Sequence, residues 1–390
     1  MYLRIFTFLI ISTLLFSACA PRLIPLPTES APQPTPPEAT QTAITSGLLI
    51  WDRYSPSCET AVFSPAGFSY GECGKALSVA DSESTSHEPR FSELTSLFAS
   101  FTAETPVGSL IFRGTGNTVP TSAEKRAIAE WAKLMYENAQ AGGTEASGSL
   151  ALSWHREGGI AGFCDDVAVY LTGLVTTSDC KGFHAETYLT ASQLEQLYDW
   201  VDGLRSIDYD DSNAPVADGM KITVALTGKG QRQPDEQTIR DILDFAATLD
   251  AELGYAAQAG PEVIDAQNAL QDYLTALNTS DYSLGAELYG GDTSQLQSWN
   301  PDITNDLPAL FERACSQNGL QCLAPRSITY RVSEEDGHHF WVEFNNNDGT
   351  LFQQGPCCGE TSGPLVSKFS FFVEQKQDGF FVMELPPYVP

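Results

Sequence analysis

Five histidines, His87, His155, His184, His338 and His339, are the first place to look for metal or nucleophilic chemistry. None belongs to a His-Glu-x-x-His pair, which sets two imidazoles on one helix face around zinc. His338 and His339 are neighbours in a segment that alternates like a strand, so they face opposite sides of a sheet and cannot share one metal. Asp208, Asp210, Asp211 and Asn213 carry calcium-type oxygens. Lacking the glycine and closing glutamate of an EF-hand loop, they read as a solvated loop. Two glycine pairs, Gly114-x-Gly116 and Gly228-x-Gly230, lack the third glycine and the Lys-Ser/Thr of a nucleotide loop. A strand-to-helix turn with positive φ accounts for them. For proton transfer the candidates are Asp272, Asp281, Tyr330, His338 and Glu343, and their spacing selects none. The expectation is no catalytic residue, no metal and no cofactor.

Cysteine chemistry is more specific. Of nine cysteines, Cys58 with Cys73 and Cys164 with Cys180 have nearly the same spacing. Each bond would close a loop of about sixteen residues, worth roughly 3 kcal/mol of chain entropy. Cys315, Cys322, Cys357 and Cys358 could form a zinc site, but adjacent cysteines are awkward tetrahedral ligands and Cys-x2-Cys is absent. Two disulfides joining Cys315 and Cys322 to Cys357 and Cys358 are expected, in an order left open.

The elements that position these residues belong to a chain of 390 residues, 42% hydrophobic and 18% charged, too apolar for a disordered protein. Fifty acidic against 21 basic residues give a net charge of −29. Such a surface repels phosphate backbones, excluding nucleic acid, and argues against polybasic attachment to anionic lipid.

Residues 5–16 form an apolar run after one positive charge, of signal-peptide length. It ends in Phe16-Ser17-Ala18-Cys19, which resembles a bacterial lipobox, with Phe16 where leucine is usual. The resemblance implies a signal peptide at 1–18 and a lipidated Cys19. Residues 19–46 then form a Pro/Thr-rich linker. At about 3.1 Å per residue it could reach roughly 80 Å. The expected location is the cell envelope, lipid-anchored on the extracytoplasmic face, with no other membrane contact.

Residues 47–141 and 148–256 read as a tandem repeat. Leu49-Ile50-Trp51-Asp52-Arg53 parallels Leu152-Ser153-Trp154-His155-Arg156. A cysteine pair follows in each, then a helix: Phe91, Leu94, Leu97, Phe98 and Phe101 on one face, against Leu194, Leu197, Tyr198 and Val201. A strand, the Gly-x-Gly and a second amphipathic helix complete each copy, with Ile128, Trp131, Ala132 and Met135 against Ile239, Ile242, Leu243 and Ala246. Thr121 with Glu124, and Thr190 with Gln193, read as capping boxes.

The turn Gly158-Gly159-Ile160-Ala161-Gly162 resembles that of emfourin-type inhibitors of thermolysin-like metalloproteases. The resemblance implies a protein-binding module and makes this turn the candidate partner contact. In residues 261–390 helical patterns precede strands over 327–333, 338–344, 366–375 and 380–385. That order resembles the NTF2-like cone, a helix packed across a curved antiparallel sheet. The expected fold is α+β: two tandem repeat domains, then an NTF2-like domain. The expected function is a non-enzymatic lipoprotein that binds a protein or peptide partner, of protease type if the inhibitor resemblance holds. The alternative is small-molecule binding or acid/base catalysis in the pocket of the C-terminal cone.

Overall fold

Alternation sets the first sheet. In β1 (Leu48–Arg53), Leu49 and Trp51 are fully buried while Ile50 and Asp52 face the other side. β2 (Glu59–Ser64), β3 (Gly67–Glu72) and β4 (Ser78–Val79) follow as a meander. After α1 (Glu88–Leu97), the hairpin β5 (Phe101–Thr105) and β6 (Gly108–Arg113) returns to pair β6 with β1. The antiparallel order is β4-β3-β2-β1-β6-β5. Phe91 and Leu94 of α1 pack on this sheet with Ile128, Trp131, Ala132 and Met135 of α2 (Ser122–Gln140). The computed structural model describes residues 47–79, 88–142, 149–159, 162–211, 220–257, 260–334, 336–355, 365–377 and 379–389. They all fall within one unit, Ile44–Pro390, and bury three hydrophobic clusters, around which we distinguish three lobes. Cys19 lies outside the described residues.

Lobe two has the same order of elements as lobe one. β7 (Leu150–Gly158), β8 (Phe163–Tyr170), β9 (Leu174–Asp179) and β10 (His184–Tyr188) precede α3 (Ala191–Gly203). β11 (Arg205–Asp210), β12 (Met220–Lys229) and α4 (Glu236–Ala257) complete it, with sheet order β10-β9-β8-β7-β12-β11. Trp154 takes the buried place of Trp51. Both capping boxes are present, Thr121–Glu124 on α2 and Thr190–Gln193 on α3.

The Gly-x-Gly segments have a different cause from the one expected. None of Gly114, Gly116, Gly228 and Gly230 has a positive φ. Instead each passes against the end of the preceding helix. A Cβ on Gly114 would lie 1.9 Å from the Phe98 carbonyl oxygen, and one on Gly230 would lie 2.2 Å from that of Gly203. Matching parallel bridges, Phe98 with Thr118 and Leu204 with Arg232, seal both crossings. Phe101, expected on the helix, opens β5 instead, and Leu97 is 39% exposed. The helix ends earlier because the chain must turn to meet the glycine crossing.

Lobe three has α5 (Pro261–Asn278), α6 (Tyr282–Leu288), α7 (Ser294–Trp299) and α8 (Leu307–Ser316) before the meander β13 (Ala324–Glu334), β14 (Gly337–Asn345), β15 (Phe369–Lys376) and β16 (Gly379–Val382). The six residues of α7 bury only Leu296, too little pattern to read from sequence. Phe340, Phe344 and Phe371 of the sheet meet Tyr273 of α5 and Phe311 of α8 in a filled core.

Three cysteine pairs lie at disulfide distance. Cys58–Cys73 and Cys164–Cys180 have Cα separations of 5.3 and 5.6 Å. In both, the later cysteine's N–H donates to the earlier one's carbonyl at 3.2 Å. The third pair is Cys315–Cys322, Cα atoms 5.5 Å apart, which corrects the bridging to Cys357 and Cys358. After α8 the chain doubles back at once, through Gly319 at φ 86° and the Leu320 N–H on the Ala314 carbonyl, so the two cysteines meet locally. Cys357 and Cys358 lie outside the described residues. Mixed α+β architecture with three antiparallel sheets is therefore the fold class. No helix among the described residues is long and apolar enough to cross a membrane.

Candidate functional site

Of the side chains that sequence offered for chemistry, Glu343 lies where the lobes meet. Thr190 starts α3, whose first N–H groups have no partner within the helix. Glu343 of β14 reaches them from lobe three and accepts from Ala191 N at 3.3 Å, Ser192 N at 3.1 Å and Ser192 Oγ at 2.8 Å. Ser327 Oγ adds a fourth bond at 3.3 Å. A carboxylate suits the positive end of a helix. Glu343 is 2% exposed, and its oxygens are used in holding α3.

Beside it, Arg326 of β13 ties lobe three to lobe one. Its Nη1 donates to the Val119 carbonyl at 3.1 Å and to Asn345 Oδ1 at 3.0 Å, and its Nη2 pairs with Glu124. The same Glu124 oxygen accepts from Thr121 N at 2.7 Å, so the capping box of α2 doubles as the anchor of an inter-lobe ion pair. Burial pushes the Glu124 carboxyl up, against the pull of Arg326. Gly349 completes this seam. Its carbonyl accepts from Val119 N at 2.8 Å, and a Cβ there would lie 2.5 Å from the Asn117 oxygen. Lobes one and two join through Arg126, which bonds both Asp202 oxygens at 2.6 and 3.2 Å and covers the Tyr198 ring at 4.0 Å.

Hollows lie beside these contacts and on the face of sheet two. A cavity of about 140 Å³ between the lobes is lined by Leu94, Phe98, Leu189, Leu194, Arg326 and Glu343, with Arg90 stacked 3.5 Å over Tyr188 beside it. A groove of about 580 Å³ between lobes one and three carries the amides of Asn117, Gln271, Asn278, Asn345, Asn346 and Asn347. A crevice of about 610 Å³ runs from β5 to α3. The outer face of sheet two holds a depression of about 310 Å³ around Ser153, His155, Asp166 and Asp208.

The remaining candidates do not converge on any of these. Asp272 is exposed on α5, and Asp281 caps α6 by accepting from Leu284 N at 3.2 Å. Tyr330 and His338 do come together: Tyr330 Oη bonds Ser333 Oγ at 2.7 Å, which bonds His338 Nδ1 at 2.8 Å. His338 Nε2 is buried without a hydrogen-bond partner among the described residues, and burial pushes the imidazole's pKa down. His339 turns the other way, to Glu334 at 3.0 Å, as alternation requires. Asp208 faces the depression on sheet two, and Asp211 accepts from Ile222 N at 2.8 Å. Asn213 lies outside the described residues. Among the described residues no group of three or more His, Cys, Asp or Glu could hold a metal.

At the candidate partner-binding turn, Gly158, Gly159 and Gly162 have φ of 90°, 68° and 65°. Ile160 and Ala161 lie outside the described residues. Beside the turn Phe163 and Met220 are 39% and 44% exposed, an apolar pair that sequence did not single out.

The two sheets differ most on their outer faces. One row across sheet one reads Val79, Ser69, Val62, Ile50, Ile111, Thr102. The matching row across sheet two reads Glu186, Thr176, Ala168, Ser153, Ala225, Asp208. No protein-family model matches the chain, and no curated protein matches it.

Proposed function

We propose that this chain is an envelope lipoprotein, held by lipid on Cys19, that binds a protein or peptide partner on the extracytoplasmic side and catalyses no reaction. One observation carries the reading. What the two lobes share is scaffold: strand order, glycine crossing and buried tryptophan. What they do not share is surface, since the same row is apolar on sheet one and small or acidic on sheet two. Duplication of a scaffold with divergence of its faces suits a binding module. An enzyme would be expected to keep a constellation of reactive groups in at least one copy.

Lobes one and two are in this reading duplicated emfourin-like domains, and lobe three an NTF2-like cone. Inhibition of thermolysin-like proteases tests the inhibitor form, and no inhibition at micromolar chain rejects it. Mass spectrometry of the N-terminal peptide tests the anchor. An unacylated Cys19, or an unchanged membrane fraction in Cys19→Ser, rejects that part.

A second reading, acid/base chemistry in lobe three, draws on the Tyr330–Ser333–His338 chain. Against it, Phe340, Phe344 and Phe371 occupy the interior where an NTF2-like pocket would open.

A further inference from the structure

Among the described residues β5 ends its sheet and pairs with β6 alone. Its register is regular: Phe101 opposite Phe112, Ala103 opposite Leu110, Thr105 opposite Gly108. The two-residue loop Pro106-Val107 makes Thr105 and Gly108 a hydrogen-bonded pair, so Ala103 and Phe101 also bond inward. The N–H and C=O groups of Thr102 and Glu104 therefore point out of the sheet. Such an open edge is normally blunted by a bulge, a proline or extreme shortness. The equivalent strand in lobe two, β11, has a register shift between Arg205 and Ile207, and β4 has two residues. β5 has neither device.

The crevice of about 610 Å³ runs along all of Thr102, Ala103, Glu104 and Thr105, and α3 forms its far wall through Glu195, Tyr198 and Asp199. A strand edge facing a helix across a groove is the geometry in which an extended peptide adds to a sheet, main chain to main chain. Five residues of β5 span about 16 Å, enough for a peptide of similar length.

The walls also state a charge. Glu104, Glu195 and Asp199 make no ion pair among the described residues. On the other side Arg126 is bound by Asp202, which leaves Lys125, its ammonium 5.7 Å from the Phe101 ring. Burial pushes the Glu195 carboxyl up, and Glu343, Glu124 and Asp199 push the same way. A cation entering there would relieve that repulsion.

We infer that the β5–α3 crevice binds an extended peptide as an added strand on β5, with a lysine or arginine of the peptide set against Glu195 and Asp199. This rests on the partner-binding reading above and names the partner's form: an extended basic segment.

The test pans the full chain against displayed random nonapeptides and measures the enriched sequences by calorimetry as synthetic peptides. Thr102→Pro removes an outward N–H while leaving the β5–β6 ladder intact. The expected result is enrichment of Lys- or Arg-containing peptides whose affinity falls at least tenfold in Thr102→Pro and in Glu195→Lys. N-methylation at alternate peptide positions should abolish binding to the unaltered protein, which gives the same answer if a variant fails to fold. No enriched peptide, or unchanged affinity in Thr102→Pro and for N-methylated peptides, overturns the inference. A chain that inhibits a protease equally well as wild type and as Thr102→Pro would retain the partner reading and reject strand addition.

Discussion

Glu343 on β14 and Ser192 at the start of α3 are 151 residues apart in sequence, yet the glutamate's Oε1 accepts both the serine's N–H, at 3.1 Å, and its hydroxyl, at 2.8 Å. A side chain from lobe three thus caps a helix of lobe two. The relationship turns a candidate general base into an inter-lobe clasp, because a carboxylate occupied by four donors has little capacity left to accept a substrate proton.

Glu343→Ala should accordingly destabilise the chain by about 3 kcal/mol, the range for losing charge-assisted hydrogen bonds at a buried site. Glu343→Gln keeps an acceptor and should recover part of that loss. Urea melts of the two variants decide it. Equal stability of Glu343→Ala and wild type would mean the cap contributes nothing.

How far such a contact was legible in sequence follows from where its information sits. The capping boxes at Thr121 and Thr190 were readable because cap and partner lie three residues apart. The buried faces of α2 and α3 were readable from period alone, as Leu194, Leu197, Tyr198 and Val201 attest. Glu343 was visible only as a carboxylate in a strand. Nothing local announces that it meets α3, since that depends on how separate lobes dock. The Cys315–Cys322 pair failed for the opposite reason: a short return loop was open to it, and the adjacent Cys357 and Cys358 drew the pairing away. The β5 edge left no mark in sequence, because an open ladder is a property of neighbours that are missing.

Arg326→Met should cost about 3–5 kcal/mol, since it leaves Glu124 buried beside Arg326's former place without a counter-charge. Adding Glu124→Gln should restore a good part of that. The double-mutant cycle then gives a coupling energy well outside the few tenths expected of independent sites. Additive losses would show that the two side chains do not act as a pair.

The glycine crossings give a prediction of opposite signs. Gly230→Ala places a methyl 2.2 Å from Gly203 backbone atoms and should destabilise by about 2 kcal/mol or more, since backbone must move. Gly254 sits within α4 with nothing inside 4 Å of an added Cβ. Gly254→Ala should raise stability by roughly 0.5–1 kcal/mol, the helix penalty of glycine. Thermal melts that place both variants on the same side of wild type would contradict the geometry.

Cys315→Ser with Cys322→Ser should lower stability by about 2.5 kcal/mol, the loop-entropy value for so short a closure. The loss should be smaller than for Cys58→Ser with Cys73→Ser, whose loop is longer, 15 residues of separation against 7. Non-reducing peptide maps should find Cys315 and Cys322 within one peptide. A peptide carrying residue 315 or 322 linked to one carrying 357 or 358 would refute the pairing.

His338 sets an acid limit. It is 7% exposed, its Nδ1 is taken by Ser333, and among the described residues its Nε2 has no partner to receive a proton's charge. Burial pushes its pKa below the usual histidine value of 6.5, while Glu262 in the first turn of α5 pulls weakly the other way. In the unfolded chain the imidazole titrates near 6.5. Between that value and the lower folded pKa, the unfolded state binds more protons, so stability rises with pH there and falls on acidification. The contribution is fully present above pH 6.5 and is lost as pH drops through the folded pKa. His338→Asn keeps a polar side chain at the site without a titrating group. Melting temperature measured from pH 7.5 to 5.0 should fall by a few degrees more in wild type than in His338→Asn. Parallel pH profiles for the two proteins would show that the buried imidazole plays no part in the acid response.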